Sequence, residues 1–170
     1  MWNKALAAVL TVGAIGTAGA VWSSANEASA APVAKYMRTA KVSLEQGLKA
    51  AESEGQPISG KFKVNEGQLQ LAVYTAKDGK FSEVLVDQST GKVAKSEAIT
   101  DGNDLADAQK QLEAYGKSQT SLQTAVSRAE LAYPGYQAVS VTPTLSHGRP
   151  VAVVSMVQGT QSRSVAEPLT

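Results

Sequence analysis

Two stretches decide how this chain is read: Ser43-Leu44-Glu45-Gln46-Gly47-Leu48-Lys49-Ala50-Ala51-Glu52 and Ser121-Leu122-Gln123-Thr124-Ala125-Val126-Ser127-Arg128-Ala129-Glu130. They align without gaps, sharing Ser, Leu, Ala and Glu, with a small residue (Gly47, Ala125) and then an aliphatic one (Leu48, Val126) in the same slots. Leu44, Leu48 and Ala51 fall on one stripe of a helix, as do Leu122, Val126 and Ala129. Ser43 followed by Gln46, and Thr120 followed by Gln123, each suit a capping box at the helix start. A small residue at Gly47 and Ala125 suits a helix lying close against a sheet.

The segments beyond the two helices match as well. After Gly55-Gln56-Pro57 the first copy predicts strands over 58–64, 68–76 and 80–86, turning at Asn65-Glu66-Gly67 and at Asp78-Gly79. Leu69, Leu71 and Val73 alternate as in a half-buried strand, and Asp-Gly is a strong two-residue hairpin signal. After Pro134-Gly135 the second copy predicts strands over 136–144, 151–157 and 162–166, turning at Ser146-His147-Gly148 and Gly159-Thr160. The expected fold class is α+β: tandem small modules, each one helix packed on a short antiparallel sheet of about three strands. The corresponding domains are an N-terminal linker at 31–41, a first repeat at 42–95, a helical linker at 96–118 and a second repeat at 119–170. The linker helix is capped by Asn103 or Asp104, carries Leu105, Ala108 and Leu112 as its stripe, and stops near Gly116.

These residues resemble the PepSY family of small exported and envelope modules. The resemblance rests on Ser43-Leu44, Gly47-Leu48 and Ala51-Glu52, on Gly67 to Val73, and above all on Glu83-Val84-Leu85-Val86-Asp87-Gln88-Ser89-Thr90-Gly91-Lys92-Val93. In that string Asp87 can accept backbone hydrogen bonds across a turn while Gly91 supplies left-handed φ. The second copy departs from the pattern, with Ala166 where the Asp should be and Glu167-Pro168-Leu169-Thr170 in place of the Thr-Gly turn. The family implies a domain that binds and restrains a protease.

The N-terminus predicts the compartment. Lys4, an apolar run over 5–22 and Ala28-Ser29-Ala30 form a secretory signal at 1–30, cut after Ala30. An extracytoplasmic location, periplasmic or secreted, is the consequence. The alternative is a membrane anchor through residues 5–22, and membrane association is expected only if that segment stays uncleaved.

Chemistry is sparse. The 16 basic and 15 acidic side chains give a net charge of +1, which lacks the electrostatic footprint of a nucleic-acid binder. With no Cys there is neither a disulfide nor a thiolate ligand or nucleophile, and a single His removes two-histidine metal motifs. His147 has no orienting carboxylate or nucleophile in sequence and reads as a solvated turn residue. Gly116-Lys117-Ser118 lacks the first glycine of a phosphate-binding loop, because Gln111 stands there, and Asp101 to Leu112 lacks the sixth and twelfth residues of a calcium loop. Glu52 and Glu130 recur at equivalent helix positions and read as solvated helix ends. No catalytic residue, metal site or cofactor is expected, and the chain reads as non-enzymatic. The expected role is a binding module for another envelope or secreted protein, with a peptidase among the candidate partners. The alternative role is an anchored structural or sensory envelope component without protease contact. Candidate contacts are the hairpin tips Asp78-Gly79 and His147, the pair Tyr133 and Tyr136, and edge strands at 58–64 or 162–166.

Overall fold

The computed structural model describes residues 32–170, and the readings made on residues 1–30 lie outside the described residues. A 3-10 turn, Met37–Thr39, leads to helix α1, Leu44–Ala51. Ser43 Oγ accepts from Gln46 N at 3.2 Å while Gln46 Oε1 accepts from Ser43 N at 2.9 Å, a complete capping box. Four strands come next: β1 Gln56–Asn65, β2 Gln68–Lys77, β3 Lys80–Val86 and β4 Val93–Ile99. Then come helix α2, Gly102–Tyr115, helix α3, Leu122–Ala132, and strands β5 Gln137–Ser146, β6 Arg149–Gln158 and β7 Gln161–Pro168. The cap of α3 is Ser121, whose Oγ accepts from Thr124 N at 3.1 Å, rather than the Thr120 expected from its spacing to Gln123.

Local chemistry sets the hairpins. Glu66-Gly67, Asp78-Gly79 and His147-Gly148 each carry positive φ at both residues, as a two-residue turn matched to strand twist requires.

The expectation of tandem modules with separate small sheets is overturned. All seven strands form one antiparallel sheet in the order β4-β3-β2-β1-β5-β6-β7. The join is β1 to β5, where Gly60 pairs with Val141 and Lys61 with Ser140. Strand β1, expected to offer an open edge, is therefore interior. The physical reason is edge closure: a small sheet on about 50 residues buries little and exposes two unpaired edges, and joining β1 to β5 at Gly60–Lys61 and Ser140–Val141 covers part of one edge of each. The halves correspond closely. One offset, 81 residues, takes Gly60 to Val141, Val73 to Val154 and Val84 to Val165 along the two sets of pairings. It also relates the register shifts at Pro57/Ser59 and Ala138/Ser140.

Helices α1 and α3 lie side by side, antiparallel, on one face of this sheet. Leu44, Leu48, Ala51, Leu122, Val126 and Ala129 are all buried there against Leu71, Val73, Val84, Val141, Val154 and Met156. Gly60 makes the approach possible, since a Cβ there would stand 3.0 Å from Leu48 Cδ2 and 3.3 Å from Leu44 Cδ1. The segment read as a linker is structural instead. Its residues 96–99 belong to β4, and α2 covers the sheet's other face, where Ala108 is buried with Ile58, Tyr74 and Phe81, and Leu105 and Leu112 pack alongside. Ser59 Oγ donates to Gln111 Oε1 at 2.6 Å and Tyr74 Oη to Asp104 Oδ1 at 2.9 Å, fixing α2 in place. Burial, aided by that hydrogen bond, pushes the Tyr74 hydroxyl pKa up.

Candidate functional site

The turn after β3 is the most organised loop of the first half. Asp87 N donates to Lys92 O and Gly91 N to Asp87 O, both at 2.8 Å. The Asp87 carboxylate accepts from Ser89 Oγ at 2.6 Å and from Ser89 N and Thr90 N at 2.8 Å. These bonds, the hydroxyl of Ser89 foremost, hold its pKa down to about 2. Gly91 sits at φ 72°, where a side chain would be strained. The next carbonyl, Gln88 O, accepts from Lys41 N at 2.9 Å and Val42 N at 3.1 Å, which clamps the turn to the approach into α1.

The second half repeats the clamp without the turn. Leu169 O accepts from Gln119 N at 2.6 Å and Thr120 N at 3.1 Å, just ahead of α3, and Leu169 itself is fully buried. The offset that superposes the strand pairings takes Gln88 to Leu169 and Asp87 to Pro168. Pro168, rather than Ala166, is thus the counterpart of Asp87.

A cleft of about 650 Å³ opens beside the Asp87 turn. Tyr36 and Thr39 of the N-terminal segment form one wall; Gln68, Leu69 and Gln70 of β2, with Leu85 to Gln88 and Ala94, form the rest. Gln88 Oε1 is buried with no hydrogen-bond partner among the described residues. Asp87 and Gly91 are legible at this turn from the sequence; the cleft is not. Its far wall comes from residues some fifty positions earlier, and no local signal brings Tyr36 there.

The candidate contacts do not converge. Strand direction places the Asp78-Gly79 and His147-Gly148 tips at one end of the sheet, and Tyr133 and Tyr136 at the other, beside the start of β5. Tyr133 and Tyr136 do meet, edge to face, with ring centroids 6.4 Å apart. Arg163 of β7, which the sequence did not single out, lies over both rings at 4.6 Å and 5.8 Å. Tyr136 Oη donates to Gln161 Oε1 at 3.1 Å. The Asp87 cleft lies on the β2–β4 side of the sheet, away from this group.

Glu52 and Glu130 occupy opposite ends of the α1–α3 pair. Glu52 binds Lys49 at 2.8 Å and accepts from Gln123 Nε2 at 3.0 Å. Glu130 Oε1 accepts from Ala138 N at 2.7 Å, and burial, opposed by that bond and reinforced by the nearby Glu45, raises its pKa. Among the described residues no three His, Asp or Glu side chains come together as a metal site.

No family model matches this chain, and no curated protein matches it. Among solved structures, a "putative lipoprotein" from Clostridium difficile 630 is similar with a TM-score of 0.41 at 11% identity, over 72% of this chain and 80% of its own. Among the described residues no helix is long and apolar enough to cross a membrane.

Proposed function

We propose that this chain is an exported, non-enzymatic binding module, similar to PepSY domains, that engages another envelope or secreted protein through the cleft beside the Asp87 turn. The cleft is the observation that carries the reading. Its walls mix aliphatic surface (Leu69, Ala94), glutamine amides (Gln68, Gln70, Gln88) and strand-end backbone, a lining suited to an extended polypeptide segment. The Asp87 turn supports the resemblance, since Asp87 and Gly91 do what that string requires of them. A peptidase remains the partner class that the resemblance implies.

The test is a cross-linked pull-down from envelope and secreted fractions of the source cell, with residues 31–170 as bait and mass spectrometry as readout. Gln68→Arg and Thr39→Arg place charge and bulk at two exposed cleft positions without touching the core. The proposal expects a defined protein captured by the wild type and lost from both variants, with dose-dependent loss of activity if that protein is a peptidase. Capture that both folded variants retain would remove the cleft as the site.

A further inference from the structure

The sheet ends in two open edges, β4 and β7, and they are not alike. The pairing of β4 shifts register at Leu85/Val86, and its own Lys95 and Glu97 neutralise each other at 2.6 Å. By contrast β7 pairs with β6 in unbroken register from Gln158↔Gln161 to Val151↔Pro168. Leu169 N donates to Pro150 O, at the end of that ladder. Alternation along an antiparallel strand then turns the N–H and C=O groups of residues 161, 163, 165 and 167 toward β6. Those of Ser162, Ser164 and Ala166, with the Pro168 carbonyl, point outward. Pro168, which has no N–H, stands where that N–H would have faced solvent.

Side chains alternate too. Val165 packs against the main core, so Arg163, Val165 and Glu167 share the face covered by α1 and α3. Among the described residues neither Arg163 nor Glu167 forms an ion pair. Four positions apart on one strand, they are separated by about 13 Å and cannot reach each other.

We propose that β7 is a self-association edge, pairing antiparallel with β7 of a second copy about a twofold axis at Val165, so that one sheet runs through both molecules. In this register Arg163 of each copy faces Glu167 of the other, and Val165 faces Val165. These pairs fall at the non-hydrogen-bonded positions, where side chains approach most closely. Ser164 and Ala166 exchange both backbone bonds, twice by symmetry, and Ser162 N–H meets the Pro168 carbonyl at each end. Charges on an edge ordinarily discourage pairing; opposite charges at mirrored positions make this edge complementary to itself. A slip of two residues sets Arg163 against Val165 and leaves both charges without partners. The Arg163 guanidinium stands 4.6 Å and 5.8 Å from the Tyr133 and Tyr136 ring centroids, so its position on this face is already supported within its own chain.

The experiment is sedimentation equilibrium of the full chain as purified from its expressing cell, over a concentration series, with R163E, E167R and their equimolar mixture. Each single change makes both symmetry-related pairs repulsive and weakens self-association about tenfold. The mixture restores opposite charges at both contacts and recovers the wild-type dissociation constant, although the stacking lost in R163E is not restored within its own chain. S164P, whose missing N–H points outward, keeps the wild-type circular dichroism and sediments as a monomer. A wild-type chain that stays monomeric throughout the series overturns the proposal, as does a dimer indifferent to R163E and E167R. Two variants that remain dissociated when mixed overturn the register.

Discussion

Gly47 offers the sharpest test of how α1 meets the sheet. On an isolated helix Gly47→Ala would stabilise by about 1 kcal/mol, because glycine is a poor helix former. In the folded chain a Cβ at Gly47 would overlap Leu71 Cδ2 and stand 2.9 Å from its Cγ. Leu71 is fully buried in the middle of β2, so its side chain has no solvent to swing into. Either Leu71 leaves its rotamer or α1 lifts from the sheet, loosening Leu44 and Leu48 as it moves. Overpacking of this kind costs about 1–3 kcal/mol, and a clash this close falls at the upper end. The net expectation is a loss of about 1–2 kcal/mol in urea unfolding, read as a lower midpoint at unchanged m-value. Leu71→Ala alone should cost about 2–5 kcal/mol, but in the Gly47→Ala background it removes the clash, so the double variant is more stable than the sum of the singles predicts by about 1 kcal/mol or more. Ala125, the matching position in α3, already carries a buried methyl, and Ala125→Gly should destabilise. A Gly47→Ala protein more stable than wild type, or a cycle additive within about 0.5 kcal/mol, would refute the packing argument.

Three further outcomes rest on named contacts. Ser43→Ala removes one arm of the capping box and should lower stability by about 1 kcal/mol in the same urea assay. Glu130 carries a carboxyl whose pKa burial raises, so its charged form is disfavoured in the fold and weighs against stability above that pKa, the penalty fading as pH falls through it. Glu130→Gln keeps an acceptor for Ala138 N, so its melting temperature should exceed wild type at neutral pH and converge with it in acid. Leu169→Ala empties a fully buried site and should cost about 2–5 kcal/mol by thermal unfolding, showing that the C-terminal residues are part of the core.

The elements were legible because their signals are local. The spacing of Leu44, Leu48 and Ala51 marks α1, and alternation through Leu69, Leu71 and Val73 with the Asp78-Gly79 turn marks β2 and β3. The Asp87–Gly91 turn was readable because both of its devices, an accepting carboxylate and a left-handed glycine, lie within five residues. Strand β4 was not readable, since Ala94 to Ala98 are exposed and mostly polar or small, with no alternation to report. The union of the two halves was hidden for another reason: Gly60 and Val141 are far apart in sequence, and only the bare backbone of Gly60 betrays how closely α1 crosses there. The same distance concealed Arg163 above Tyr133, and Tyr36 across from Gln68.

Strands β1 and β5 join the two halves into one sheet, and backbone nuclear Overhauser effects across Gly60↔Val141 and Lys61↔Ser140 report that junction. Cross-strand contacts at both pairs are expected, with the Gly60 and Val141 amides protected from exchange. Two networks of strand contacts with none between β1 and β5, and fast exchange at Gly60 and Val141, would contradict a single sheet.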